Sequence, residues 1–190
     1  MKGRIAMHCR IARPEDAARL CDIYAPYVKN TAITFADTPM TREDFLHKIH
    51  SPYPVLVCET GGQVMGYAYA SRFREKEAYR WCAEISIYVD GAFHGRGAGS
   101  LLMEKLLLLL QAQQLQCAFS GITMPNEKSM ALHRKFGFSE AGRFENAGYK
   151  LEKWRDVQWM QLQLCPAREN PPEPIPFSAL PAGQTAALLK

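Results

Sequence analysis

The chain has 190 residues, 47% hydrophobic and 22% charged, with a formal net charge of +4. That length suits one domain with its own core, and so small and scattered a charge excess argues against a nucleic-acid partner. Six cysteines (Cys9, Cys21, Cys58, Cys82, Cys117 and Cys165) include no CxxC pair, which points to reduced, packed thiols in a cytoplasmic protein and away from zinc or a disulfide framework.

The N-terminal MKGRIAMHCRIARPEDA has no long apolar stretch, so no secretory signal is expected. Residues 7–12 read as a first strand. Pro14 suits a first helical position, with Glu15 and Asp16 at the positive end of the helix dipole and Ala17, Leu20, Tyr24, Tyr27 and Val28 at helical spacing. After a loop over 30–40, Thr41 and Asp44 form a capping-box pattern ahead of a helix over 41–50. PVLVCE (54–59) and QVMGYAYASRF (63–73), joined by two glycines, read as a hairpin. In the strand over 83–90, Ile85, Ile87 and Val89 alternate with Glu84, Ser86 and Tyr88, so the two sets occupy opposite faces.

A helix over 98–114 carries the run Leu106–Leu110. That run is too short for a bilayer, which needs about 20 apolar residues, so it reads as a buried core helix with no membrane role. CAFSGIT (117–123) is a strand, Asn126 caps a helix ending near Gly137, and FSEAGRF and DVQWMQLQL supply two last strands. Residues 165–190 hold six of the twelve prolines and read as a loosely ordered extension to a domain over 7–164. The order of elements implies a single α/β domain with a mixed central sheet flanked by helices.

His94-Gly95-Arg96-Gly97-Ala98-Gly99 joins a strand to a helix. Glycines there permit positive φ and close approach to the backbone, and the first N–H groups of a helix have no internal partner, which together suit a pyrophosphate. The segment fits neither a P-loop nor the Rossmann fingerprint. On the pattern alone it is equally a tight helix–strand junction.

The segments CRIARPEDA, IYAPYV with TAITF, GYAYASRFR, AYRWCAEISIYV, HGRGAG, NEKSMALHRKFGF, AGYK and WRDVQWMQLQL, in this order and spacing, resemble the GNAT acetyltransferases. Within them the likeness is to the small-molecule branch acting on phosphinothricin and on methionine sulfoximine or sulfone. It runs from about Cys9 to Leu164. The family's Gln/Arg-x-x-Gly-x-Gly/Ala signature falls on His94–Gly99, with His94 departing from the Gln/Arg place.

The resemblance implies acetyl-CoA as co-substrate and no metal. Its pyrophosphate would rest on Gly95, Arg96, Gly97, Ala98, Gly99 and Ser100, and its pantetheine arm along the main chain of Ile87, Tyr88 and Val89. Asn126 and Ser129 match further positions near the cofactor; without the resemblance they read as an N-cap and a first-turn residue. Glu84 matches the family's catalytic glutamate, a general base that would draw a proton from the acceptor amine. Read without the resemblance, it is a strand glutamate in solvent or paired with Arg80. His133 sits where this branch often has histidine and where many relatives have a general acid; the competing reading is packing beside Phe136.

The loop SRFREKEAYRW (71–81) is rich in arginine, and a guanidinium fork suits carboxylate, sulfonyl or phosphinate oxygens. By the resemblance Phe35, Arg74 and Tyr79 border the pocket for a small amino-acid-like amine; Glu75, Lys76 and Glu77 leave open a solvated charged loop. His47 and His50, three apart, read as exposed. The branch implies a homodimer. Two rival functions remain, transfer to peptide or protein amines and non-catalytic acyl-CoA binding, and the presence of Glu84 favours catalysis over the second.

Overall fold

Residues 7–190 are described by the computed structural model of the chain; residues 1–6, part of the segment read as lacking a secretory signal, lie outside it. The strands are β1 (His8–Ile11), β2 (Val55–Thr60), β3 (Gln63–Arg72), β4 (Cys82–Val89), β5 (Cys117–Thr123), β6 (Ser139–Lys150) and β7 (Lys153–Gln163). They form one sheet in the order β1-β2-β3-β4-β5-β7-β6. The helices are α1 (Ala17–Asn30), α2 (Arg42–Ile49), α3 (Ala98–Ala112), α4 (Glu127–Lys135) and α5 (Ala182–Leu188). The β4–β5 pair is parallel and the others are antiparallel, so the sheet is mixed, as expected from the element order.

Period-two alternation divides the strands between two cores. One face, with Ala68, Ala70, Ala83 and Ile85, packs on the leucine-rich α3, whose Leu102, Met103, Leu106, Leu109 and Leu110 are fully buried. Truncating such a leucine to alanine typically costs about 2–5 kcal/mol. The other face, with Val55, Val57 and Tyr67, packs on Leu20, Ile23, Tyr24 and Val28 of α1 and Phe45 of α2, and Tyr69 and Tyr88 lie against it. The capping box of α2 forms: the Asp44 N–H donates to Thr41 Oγ1 at 3.2 Å, and the Thr41 N–H donates to the Asp44 carboxylate at 2.7 Å.

The sheet forks at its centre. β4 stays paired with β3 from Ala83 to Val89, and β5 stays paired with β7 over its whole length. Between β4 and β5 only Cys82–Glu84 and Cys117–Phe119 are in register. Beyond Glu84 the two strands separate.

The C-terminal segment is ordered against the body, which corrects the expectation of a loose extension. Its few apolar residues are placed to dock: Leu180 is buried, and Phe177, Leu188 and Leu189 pack on the α3-side core. Main-chain groups and one buried amide complete the attachment. Ile175 N–H donates to Gln113 O at 2.9 Å and Phe177 N–H to Pro52 O at 2.9 Å. The Gln113 amide nitrogen donates to both Pro52 O and Ile175 O, at 2.8 and 2.9 Å. The proline count concealed this because the prolines sit where no N–H is needed. Gln113→Leu leaves both carbonyls without that donor, and we expect a loss of about 1–3 kcal/mol in urea unfolding, with earlier proteolysis of the C-terminal segment.

Candidate active site

The bend after β4 is fixed from three sides. The Asp90 carboxylate accepts from Ala92 N–H at 2.9 Å and is paired with Arg19 of α1, which also donates to Val64 O at 3.0 Å. The Tyr27 hydroxyl donates to Val89 O at 2.5 Å, and His94 Nε2 lies 3.0 Å from both that carbonyl and the Tyr27 hydroxyl. The chain then passes through Gly95 at φ +74° and Gly97 at φ +94°, left-handed values that a side chain resists. Gly97 is the N-cap of α3, and no side chain caps this helix start. The N–H groups of its first turn are thus unclaimed by the helix.

The fork and this bend enclose a cleft of about 620 Å³. Ile85–Val89 form one wall, Ser120–Thr123 of β5 the opposite one, and α4 and the start of α3 close its ends. Because the Asp90 N–H donates to Met65 O on β3, strand alternation turns the main-chain groups of Tyr88 toward β3 and those of Ile87 and Val89 into the fork. Ile87 therefore offers a donor and an acceptor there. Val89 offers its N–H, its carbonyl being held by Tyr27.

Glu84 stands at the vertex of the fork, in register with Ser71 on β3 and Phe119 on β5. It is half-buried, and burial raises its carboxyl above the ordinary carboxylate range while Arg74 and Lys48 pull it back. Arg80, the alternative partner considered for it, instead holds Glu173 with two bonds of 2.9 and 2.8 Å.

His133 is buried and lines the cleft. Its Nδ1 is 2.8 Å from Ser129 O, and a carbonyl can only accept, so Nδ1 carries the proton. Nε2 is then a bare acceptor, and it has no partner among the described residues. Burial lowers the pKa of the ring, which packs edge-on against Phe138 at 5.0 Å, not against Phe136.

The "Acetyltransferase (GNAT) domain" family matches residues 9–159. The chain belongs to the GNAT acetyltransferases. As such it is an acetyl-CoA-dependent N-acetyltransferase. It is 36% identical over 171 residues to a phosphinothricin N-acetyltransferase of Streptomyces coelicolor, a match covering 86% of this chain and all of that one. It is 33% identical to an L-methionine sulfoximine/L-methionine sulfone acetyltransferase of Pseudomonas aeruginosa, over 85% of this chain and 97% of the relative. Among solved structures, a GNAT superfamily phosphinothricin acetyltransferase from Sinorhizobium meliloti in complex with acetyl-CoA superposes with a TM-score of 0.84 at 31% identity, covering 89% of this chain and 95% of that one.

The cleft of this GNAT chain suits acetyl-CoA on its own geometry: an unpaired strand edge for an extended amide-bearing arm, and left-handed glycines before an uncapped helix start for a diphosphate. Of the residues singled out in the sequence, Ile87, Tyr88, Val89, Gly95, Gly97, Ala98, Gly99, Ser100, Asn126, Ser129 and His133 line it together. Arg96 and Glu84 do not: the Arg96 guanidinium lies over the Phe93 ring, 5.2 Å from the centroid, and Glu84 stands at the vertex, one residue before the cleft wall begins at Ile85. Asn126 is also the N-cap of α4, accepting from Ser129 N–H at 3.2 Å. The N-cap reading of that residue is what the structure shows, on the lining of the cleft.

The three acceptor candidates fall into two groups. Arg74 lies over the Phe73 ring at 5.0 Å and Tyr79 meets its edge at 5.8 Å, while Phe73 stacks on Phe119, the register partner of Glu84, at 4.2 Å. Arg72 pairs with Glu75 and Glu77, so the acids of this loop leave Arg74 without a carboxylate partner among the described residues. Phe35 stands apart from this cluster, pressed onto Gly148 of β6, where an added Cβ would lie 2.4 Å from its ring. The Lys150 ammonium fixes it there by donating to Thr34 O and Ala36 O, both at 2.7 Å.

The β5 wall (Ser120–Thr123) and Leu132 were missed by sequence reasoning. Leu132 was recoverable, since it shares a helix face with Ser129 and His133. The β5 wall was not, because a strand's sequence does not say where its pairing stops. Gly97→Val forces a β-branched side chain to φ +94°. We expect coenzyme A binding by calorimetry to fall at least about tenfold with the far-ultraviolet spectrum preserved.

Proposed function

We propose that this enzyme acetylates the amine of a small amino-acid-like acceptor of the phosphinothricin, methionine sulfoximine or methionine sulfone type, with Glu84 as general base. The observation that carries the reading is the position of Glu84: a half-buried carboxylate at the vertex of the fork, one residue before the unpaired edge of β4. The Glu84 carboxylate takes a proton from the acceptor ammonium, the freed amine attacks the thioester carbonyl, the C–S bond breaks, and the proton shed by the new amide nitrogen passes to the leaving thiolate. Main-chain N–H groups facing the fork are available to the carbonyl oxygen as it gains charge. His133, with its proton on Nδ1, presents Nε2 as an acceptor, so in this state it would receive a proton and not supply one. Arg74, which has no direct ion-pair partner among the described residues, would hold the acceptor's acidic group, with Tyr79 and Phe35 as walls. The substrates for which the relatives are named support the acceptor class.

Glu84→Gln should reduce kcat by at least about a hundredfold in a thiol-release assay and leave the Kd for acetyl-CoA within about twofold. A matching loss of affinity would make the residue structural. The base works only when deprotonated, so kcat/KM should climb with pH through a midpoint above that of an ordinary carboxylate. Removing the Arg74 charge in Arg74→Ala should move that midpoint higher still, as seen in a pH–rate profile. Turnover of a peptide amine with silence on all three small acceptors would overturn the acceptor class.

We further propose that the enzyme is a cytoplasmic homodimer joined through the β6–β7 hairpin. The unpaired thiols support the compartment. The hairpin leaves Tyr149 at 61% exposure and Trp154 at 62%, their rings 5.4 Å apart, with Leu151 exposed in the turn that follows Tyr149. A contiguous apolar patch of that kind is typical of an interface. Sedimentation should give twice the chain mass for the native protein and the chain mass for Tyr149→Asp with Trp154→Asp.

A further inference from the structure

A second cavity, of about 610 Å³, shares no lining residue with the cofactor cleft. It lies between the end of α2, the end of β3 and the C-terminal segment, which supplies one wall over 173–176. The GNAT domain match ends at residue 159, upstream of this wall. The wall is held firmly: Trp81 Nε1 donates to Pro172 O at 2.8 Å, and Arg80 forks onto Glu173.

The charges around this cavity do not cancel. Glu173 is the one carboxylate among its lining residues, and Arg80 already neutralises it. The Arg72 guanidinium is taken up by the carbonyls of Arg74 and Glu75 and by the Glu77 carboxylate. Lys48 remains. Its ammonium lies 4.2 Å from the centroid of the Tyr69 ring and has no ion-pair partner among the described residues. Burial lowers its pKa, with Asp44 and Glu84 acting on it only at a distance. The remaining wall is mostly apolar, formed by Tyr53, Ala70, Leu115 and Ile175. A half-buried cation with no direct ion-pair partner among the described residues, on the lining of a mostly apolar chamber, is complementary to an anion carrying an apolar body.

We propose that this cavity is a second ligand site, for a small monocarboxylate with an aromatic or branched apolar body, its carboxylate on Lys48 and its body between Tyr53, Leu115 and Ile175. The site lies outside the cleft that suits acetyl-CoA, with which it shares no lining residue, although Lys48 is near enough to Glu84 to act on its carboxyl. It does not depend on which amine the enzyme acetylates.

Trifluoromethylbenzoate followed by fluorine NMR tests this on the full chain with coenzyme A at saturation. The expected result is saturable binding to one site that coenzyme A does not displace. Lys48→Met should weaken it about tenfold and Lys48→Arg should restore most of the affinity. Ile175→Asp, which places an acid on the C-terminal wall, should also weaken it, with circular dichroism reporting that each variant is folded. Absence of saturable binding, displacement by coenzyme A, or equal affinity in folded Lys48→Met would each overturn the proposal.

Discussion

Past Glu84, strand β4 keeps one neighbour where an interior strand has two. β3 follows it to Val89, whereas β5 leaves to run beside β7. Main-chain groups without a partner are costly inside a core, and here they line a cleft where a ligand can satisfy them. The helix start at Gly97 contributes in the same way, through amides left over by the geometry of its first turn. The groups that this cleft offers to a ligand are therefore mostly backbone. Such a cleft asks little of the side chain at His94, which stands where the family signature has Gln or Arg. His94 faces the Val89 carbonyl and Tyr27, so its contribution is to the shape of the bend.

The fork also sets the electrostatics of Glu84. As the last residue paired on both sides, it sits deep enough for burial to favour its neutral form, with Arg74 and Lys48 near enough to limit the effect. The Phe73–Phe119 stack ties the arginine-rich loop to the strand beside the carboxylate. In this way a loop that looks solvated in sequence is held against the vertex by aromatic packing, and its acids are spent on Arg72.

Much of this was legible in the chain because each element carries its own period or cap. The alternation in β4, the leucine stripe of α3, the Thr41–Asp44 box and the Asn126 cap all name their structures locally. Non-local facts were hidden. The β6–β7 hairpin reaches Lys150 and Lys153, well past the strands read from FSEAGRF and DVQWMQLQL, because its turn places Leu151 and Glu152 at positive φ with no glycine or asparagine at those positions to announce it. The docked C-terminal segment was hidden by composition: four apolar contacts and a few main-chain bonds outweigh a proline-rich sequence. The end of β4–β5 pairing, on which the site depends, has no sequence signal at all.

One buried ammonium joins the carbonyls of Thr34 and Ala36 to the final residue of β6, with Phe35 pressed onto Gly148 between them. The loop and the hairpin thus form a single mechanical body, and neither can swing without stranding a desolvated cation. The surface that the two present together is thus a preset contour, fixed by one desolvated charge.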